Sequence, residues 1–212
     1  MLFVIPLQAQ DFITTWETAT ASEMITIPTA PGETYLYDVD WENDGTFDDI
    51  GVTGDATHTY PTAGVHVVAI RGVFPQIFFN NSGDTDKIII VNQWGDNQWT
   101  SMANAFEGCG NLVIAAPDTP DLSLATDLSA MFKDATALNT DIGNWDVGTI
   151  TDMSEMFNGA TNFDQNLGSW NVANVTDMAD MFANTGLSIQ NYDNLLIGWA
   201  LQLLQTGVNF NA

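Results

Sequence analysis

From Asp11 to Val91 the apolar residues fall in short alternating or β-branched runs: "MITIPT", "TYLYDVDW", "GVHVVAIRG", "QIFF" and "KIIIV". Turn clusters such as "PGE", "NDG" and "NNSGD" separate them. Period-two runs bounded by such residues predict strands, and several in succession predict an all-β sandwich.

The second half of the chain has a longer period. Three windows align on "MF": "TDLSAMFKDATALNTDIGNWDVGTI" from Thr126, "TDMSEMFNGATNFDQNLGSWNVANV" from Thr151 and "TDMADMFANTGLS" from Thr176. Phe132, Phe157 and Phe182 are 25 residues apart, Trp145 and Trp170 share that spacing, and a degenerate copy, "SMANAFEGCGNL", places Phe106 26 residues before Phe132. A period in the twenties over several copies predicts units that bury their apolar side chains only by stacking on one another. Within a copy, Met153, Met156 and Phe157 have the i, i+3, i+4 spacing of a short helix. Asp152 and Glu155 stand where a capping box would, and Gly159 where the helix would stop. Phe163, Leu167, Trp170 and Val172 follow in a segment of strand character. Each unit therefore reads as a short helix plus a strand, with its Met and aromatic residues in the core rather than around a cofactor.

Near the end, "NYDNLLIGWALQLLQTG" predicts a long amphipathic helix with Tyr192, Leu195, Leu196, Trp199, Ala200 and Leu203 on one face and Gly207 as its stop. Ile197, Leu201 and Leu204 are apolar on another side, which predicts burial on more than one side. At the other end, "MLFVIPLQAQDF" contains an apolar run too short to span a bilayer. It reads as the remnant of a secretory signal peptide cut after Ala9, or as a buried strand. The expected division is residues 1–9 as signal remnant, 10–91 as the sandwich and 92–212 as the repeats with the closing helix, the last read as cut short.

Charge narrows the partners. The chain carries 27 Asp and Glu against 3 Lys and Arg, a net charge of −24, yet only 14% of residues are charged and 11% are aromatic. The aromatic content fits a packed core rather than a disordered acidic chain. Such a molecule repels phosphate backbones and anionic lipid, so nucleic acid and membrane surfaces are poor partners; divalent cations and cationic surfaces suit it better. No segment is expected to span a membrane.

One cluster suggests a cation. In "DVDWENDGTFDD", Asp40, Glu42, Asp44 and Gly45 occupy the first, third, fifth and sixth places of a calcium loop, and Asp48 the ninth. Alternating hard oxygen ligands wrapped by a glycine turn are what calcium needs. Gly51 stands at the twelfth place, so the loop is no EF-hand. The competing reading is a hairpin bend made by Asn-Asp-Gly. Asp127, Asp152 and Asp177 recur with the repeat and can be read as ion ligands, but helix capping explains them more cheaply. Cys109 is the only cysteine, and it aligns with Ala135, Ala160 and Thr185, a small buried slot rather than a reactive thiol. His58 and His66, the only histidines, lie on strand or strand-edge positions without a matched carboxylate–nucleophile set. No catalytic or nucleotide-binding motif is present, so the chain is not expected to be an enzyme.

The pattern "MF…F…L..W.V..VTDM..MF", from about Trp99 to Ala212, resembles the BspA-type leucine-rich-repeat surface proteins, the DUF285 class. That resemblance implies a right-handed leucine-rich-repeat-like solenoid on a secreted or surface-displayed bacterial protein, associated with adhesion to host or matrix proteins. No catalytic residues carry over. The stretch "THTYPTAGVHVVAIRG" is similar to the polycystic-kidney-disease type (PKD) domain, an immunoglobulin-like sandwich. Trp41, Asp44, Gly45, His58, Tyr60, Gly64 and Val67 or Val68 stand in that family's places, over roughly Pro31–Gly72. The expected fold class is thus α+β: an N-terminal immunoglobulin-like β-sandwich followed by a solenoid of ~25-residue strand-plus-short-helix repeats. The expected function is protein or extracellular-matrix binding. The alternatives are a carbohydrate-binding accessory module of a larger secreted enzyme and a hydrolase whose catalytic module lies elsewhere.

Overall fold

The computed structural model describes residues 10–210. The expected signal remnant at 1–9 lies outside the described residues.

Among the described residues there are ten strands and one helix. The strands are β1 Phe12–Thr18, β2 Glu23–Ile27, β3 Leu36–Asp40, β4 Asp49–Val52, β5 Ala56–Tyr60, β6 Gly64–Val73, β7 Ile88–Gln93, β8 Val113–Ile114, β9 Asp177–Met178 and β10 Asn209–Phe210; the helix, α1, is Ile189–Trp199. Six strands make one sheet in the order β4-β3-β6-β1-β7-β8, while β2-β5 and β9-β10 form two-stranded sheets. The alternating runs place one face inward: Ile25 and Ile27 of β2 and Tyr37 and Val39 of β3 are buried, while Met24 and Leu36, each one residue before its buried pair, are exposed. β1 holds the centre, antiparallel to β6 from Phe12↔Ile70 to Thr18↔Gly64 and to β7 on its other edge.

The architecture expected from the sequence does not form. An immunoglobulin-like sandwich divides its strands between two antiparallel sheets. Here one sheet takes six strands, and its edge strand β8 pairs with β7 in parallel from beyond the expected boundary at residue 91. Nor does a solenoid of strand-plus-helix units follow: among the described residues the helix is α1 alone, and the chain folds as a small β-rich domain.

The physical reason is where the backbone donors go. In an α-helix each N–H bonds four residues back. Here the amides of Ala130, Phe132 and Asp134 donate to the carbonyls of Ser154, Met156 and Asn158 in the following copy, at 2.8–2.9 Å. Those of Glu155, Phe157 and Gly159 donate to Ala179, Met181 and Ala183 at 2.8–2.9 Å. The intervening amides close three-residue turns, Met156 to Met153, Asn158 to Glu155 and Ala160 to Phe157. Ala130, Glu155 and Asp180 adopt left-handed backbone at φ 51, 56 and 55, which an α-helix does not tolerate. A spacing of i, i+3, i+4 thus describes a chain of turns paired copy to copy. Gly159 sits at φ 76, and a Cβ there would strike Asp134 of the preceding copy.

The turns bury one continuous aromatic row. Phe106, Phe132, Phe157 and Phe182 stack with centroids 5.8, 5.9 and 5.6 Å apart. Met131, Met153, Met156 and Met181 are buried beside them. Cys109, Ala135 and Ala160 fill one buried slot, and burial pushes the Cys109 thiol far above its ordinary range. Thr185, the fourth in register, is half-buried and donates its hydroxyl to the Phe182 carbonyl.

The closing helix is shorter than its apolar pattern. Ser188 caps its start by accepting from the Asn191 amide. Past its end, Gln202 donates to the Trp170 carbonyl and accepts from the Val172 amide, and Gln205 donates to the Ala173 carbonyl. These side chains hold the segment against the preceding copy in place of further helix. Leu195 and Trp199 are buried, whereas Ile197, Leu201 and Leu203 are exposed, so the expected burial on more than one side does not occur. No helix among the described residues is long and apolar enough to cross a membrane.

Candidate metal centre

The acidic stretch follows β3 and turns back into β4. Asp40, the last residue of β3, is buried, and its carboxylate organises the bend. Oδ1 accepts from the amides of Glu42 and Asp44, both at 3.2 Å, and Oδ2 from that of Gly45 at 2.7 Å. Left-handed backbone at Asn43 (φ 51) and Gly45 (φ 90) makes the bend tight enough for one carboxylate to gather three amides. Asp48 closes the loop by accepting from the Trp41 amide at 3.2 Å, and Asp49 accepts from the Trp41 indole at 2.8 Å.

Three of the four expected ligands converge. One carboxylate oxygen each from Asp40, Glu42 and Asp48 lies within 4.8 Å of the others. Asp44 is outside this group and accepts instead from the Thr46 amide at 2.8 Å. Burial, and then the adjacent negative charge of Asp48, raise the Glu42 pKa above its ordinary value; His58, 3.9 Å away, acts in the opposite direction. A hard cation would relieve that crowding, with carbonyl or water oxygens completing the six to eight that calcium takes. The bend also stands without a cation, because Asp40 already binds its amides.

His58 lies in β5 and His66 in β6. The His58 ring stacks on Trp41 at 5.2 Å, and His66 stacks on Tyr60 at 3.5 Å. The Tyr60 hydroxyl donates to the Trp41 carbonyl at 2.7 Å. The two histidines therefore flank Tyr60 as packing groups. Burial, with His58 nearby, lowers the His66 pKa.

Asp127, Asp152 and Asp177 are not helix caps. Each accepts from the amide two residues on, Ser129, Ser154 and Ala179, at 2.8–2.9 Å. They cap turns in three successive copies, their backbones bridged in parallel.

The structure adds a copy that sequence reasoning missed. Phe79 donates its amide to the Ala105 carbonyl and Asn81 to that of Glu107, and the Phe79 ring lies 6.3 Å from Phe106. Its sequence signal is faint: in "IFFNNSG" a Phe precedes an Asn by two residues, as in "FANTG".

Comparison with known proteins agrees with that extension. No curated protein and no solved structure matches the chain. Residues 76–203, more than half of the chain, match the family described as "Mycoplasma protein of unknown function, DUF285", and the match begins at the copy containing Phe79. The chain therefore belongs to the DUF285 family.

Proposed function

We propose that the chain is a secreted or cell-surface binding protein whose repeats hold a protein partner, an adhesion role of the kind associated with the BspA-type surface proteins its repeats resemble. The observation that carries this reading is the register of the outer side chains. Thr176 donates its hydroxyl to the Thr151 carbonyl and Thr151 to that of Thr126, both at 3.0 Å. Ser169 donates to the Gly143 carbonyl and Asn174 to that of Gly148. Each copy thus fixes the polar residues of the next, giving rows of Thr, Ser, Asn and Asp at constant spacing. A surface ordered before contact loses less entropy when a protein partner docks. The PKD-like stretch fits a companion module by sequence alone, its Trp41, His58 and Tyr60 packed in one aromatic cluster.

A carbohydrate module would display aromatic rings to stack on sugars. Every Phe, Tyr and Trp among the described residues is at least partly buried, which favours the protein-binding reading. The test is a plate-binding assay of the whole chain against extracellular-matrix proteins and polysaccharides from low to high salt. Saturable binding to a basic matrix protein that weakens as salt rises is expected from the net charge of −24. Binding to polysaccharide with none to protein would replace this reading with the carbohydrate one.

A further inference from the structure

The large apolar side chains exposed before α1 are not evenly spread. Met24 lies on β2 and Val65 at the far end of β6, whereas Leu36 (59% exposed), Ile50 (66%) and Val73 (56%) gather on one face of the six-stranded sheet. Leu36 and Val73 are cross-strand partners of β3 and β6. On the other side of β3, β4 pairs through Tyr37↔Val52 and Val39↔Asp49, so Ile50 and Gly51 together stand against Asp38. A Cβ at Gly51 would lie 3.8 Å from Leu36 Cδ1, which places the Leu36 side chain along β4 beside Ile50. Tyr37 and Val39 alternate with these residues and are buried in the core. Val73 continues the patch into a cavity of about 320 Å³ that it lines with Pro75, Asp96 and Leu124, and Leu124 is 56% exposed. Single exposed apolar side chains are ordinary, but a contiguous group rimmed by polar residues marks a binding surface.

We propose that this face docks a basic protein, through a segment that sets aliphatic side chains on Leu36, Ile50 and Val73 and lysines or arginines against an acidic rim. Between Asp38 and Asp55 the chain has seven acidic residues and no Lys or Arg, and Asp96 stands in the adjoining cavity. The cation at the patch, Arg71, is already matched: its Nε and Nη2 both donate to Asp38 at 3.0 Å, and its guanidinium lies over Phe47, 3.6 Å from the ring centre. Charge therefore selects the occupant. Anionic lipid would meet the same carboxylates, and a second copy of this chain would bring its own acidic rim against this one. The patch lies on the sheet, apart from the rows of the repeats, so the proposal goes beyond the reading of those rows and does not rest on it.

The probe is a short synthetic peptide of alternating lysine and isoleucine. Titrated into the whole isotope-labelled chain, it should shift the amide resonances of Leu36, Ile50 and Val73 first, and its affinity should fall as salt rises. Leu36→Thr combined with Ile50→Thr should weaken binding about tenfold or more, as removal of anchor side chains does. Both sites are exposed and threonine keeps the strand preference, so the Tm should stay near that of the parent. Val73→Thr serves in its place if the double variant fails to fold. No binding, shifts spread over the acidic surface without preference for these three residues, affinity unchanged in the folded variant, or equal binding of a peptide with serine in place of isoleucine would overturn the proposal. So would the same shifts on concentrating the protein alone, which would assign the face to a second copy, or binding that appears only when the chain starts at Gln10, which would assign it to the chain's own first residues. Capture of a basic matrix protein in the plate assay, undiminished by the folded variant, would leave the reading of the repeats standing and remove this face from it.

Discussion

The rings of Phe157 and Phe182 lie 5.6 Å apart with an interplanar angle of 3°, and the Phe157 amide donates to the carbonyl of Met181. One residue thus joins its copy to the next twice, through its side chain in the core and through its backbone at the edge. Phe157 also stacks on Phe163 at 4.1 Å and is fully buried. Phe157→Ala should cost about 3–5 kcal/mol, the usual range for a large core truncation. A loss below about 1 kcal/mol in denaturant melts would show that the row of rings does not hold the copies together.

Ala130 separates turns from helices by the sign of a substitution. In the first turn of a helix, Ala→Gly costs about 1 kcal/mol. Ala130 instead sits at φ 51, where an L-residue carries about 1–2 kcal/mol of strain that glycine lacks. Ala130→Gly should therefore leave stability within about 0.5 kcal/mol of the parent or raise it, strain relief offsetting the entropy that glycine adds to the unfolded chain. A loss of 1 kcal/mol or more in urea titration would contradict the left-handed turn.

What the sequence could reveal follows from which bonds are local. The strands were legible because alternation at Met24, Ile25, Thr26 and Ile27 is written in adjacent residues. The 25-residue recurrence of Phe132, Phe157 and Phe182 pointed to stacking. The turns were not legible, because Met153, Met156 and Phe157 have the same spacing in a helix and in two linked turns. What decides between them is the destination of the Phe157 amide, a carbonyl 24 residues away. The left-handed residues gave little warning either, since Ala130 and Glu155 are good helix formers by type. At the acidic bend, the spacing named four carboxylates, of which Asp40, Glu42 and Asp48 converge while the Asp44 side chain caps its own turn.

That distinction gives a test for calcium. If Asp40, Glu42 and Asp48 hold the ion, calcium should raise the Tm of the whole chain by linkage. Glu42→Gln should remove the rise, and Asp44→Ala should leave it. An equal rise with magnesium, or none with either ion, would leave the loop as a bend held by Asp40.

Acid should loosen the junction between the copy containing Phe157 and α1. The Asp164 carboxylate accepts from the amide and hydroxyl of Ser188 and from the Asn191 side chain, each at 2.8 Å, and these bonds hold its pKa below the ordinary carboxylate value. A group depressed in the folded state stabilises above its unfolded pKa and loses that contribution as pH falls through the folded one. Asp164→Asn should therefore destabilise the chain near neutrality, with the difference from the parent shrinking below about pH 4. A difference that stays constant from pH 7 into that acid range would show that the charge of Asp164 contributes nothing.

The most direct test of the paired turns is a scalar coupling across a hydrogen bond. In a uniformly labelled sample, the Phe157 amide nitrogen should show a coupling to the carbonyl carbon of Met181, and that of Phe132 to the carbonyl carbon of Met156. A coupling from Phe157 to Met153, four residues back in the same copy, would mean that the copies are helices and would contradict the account.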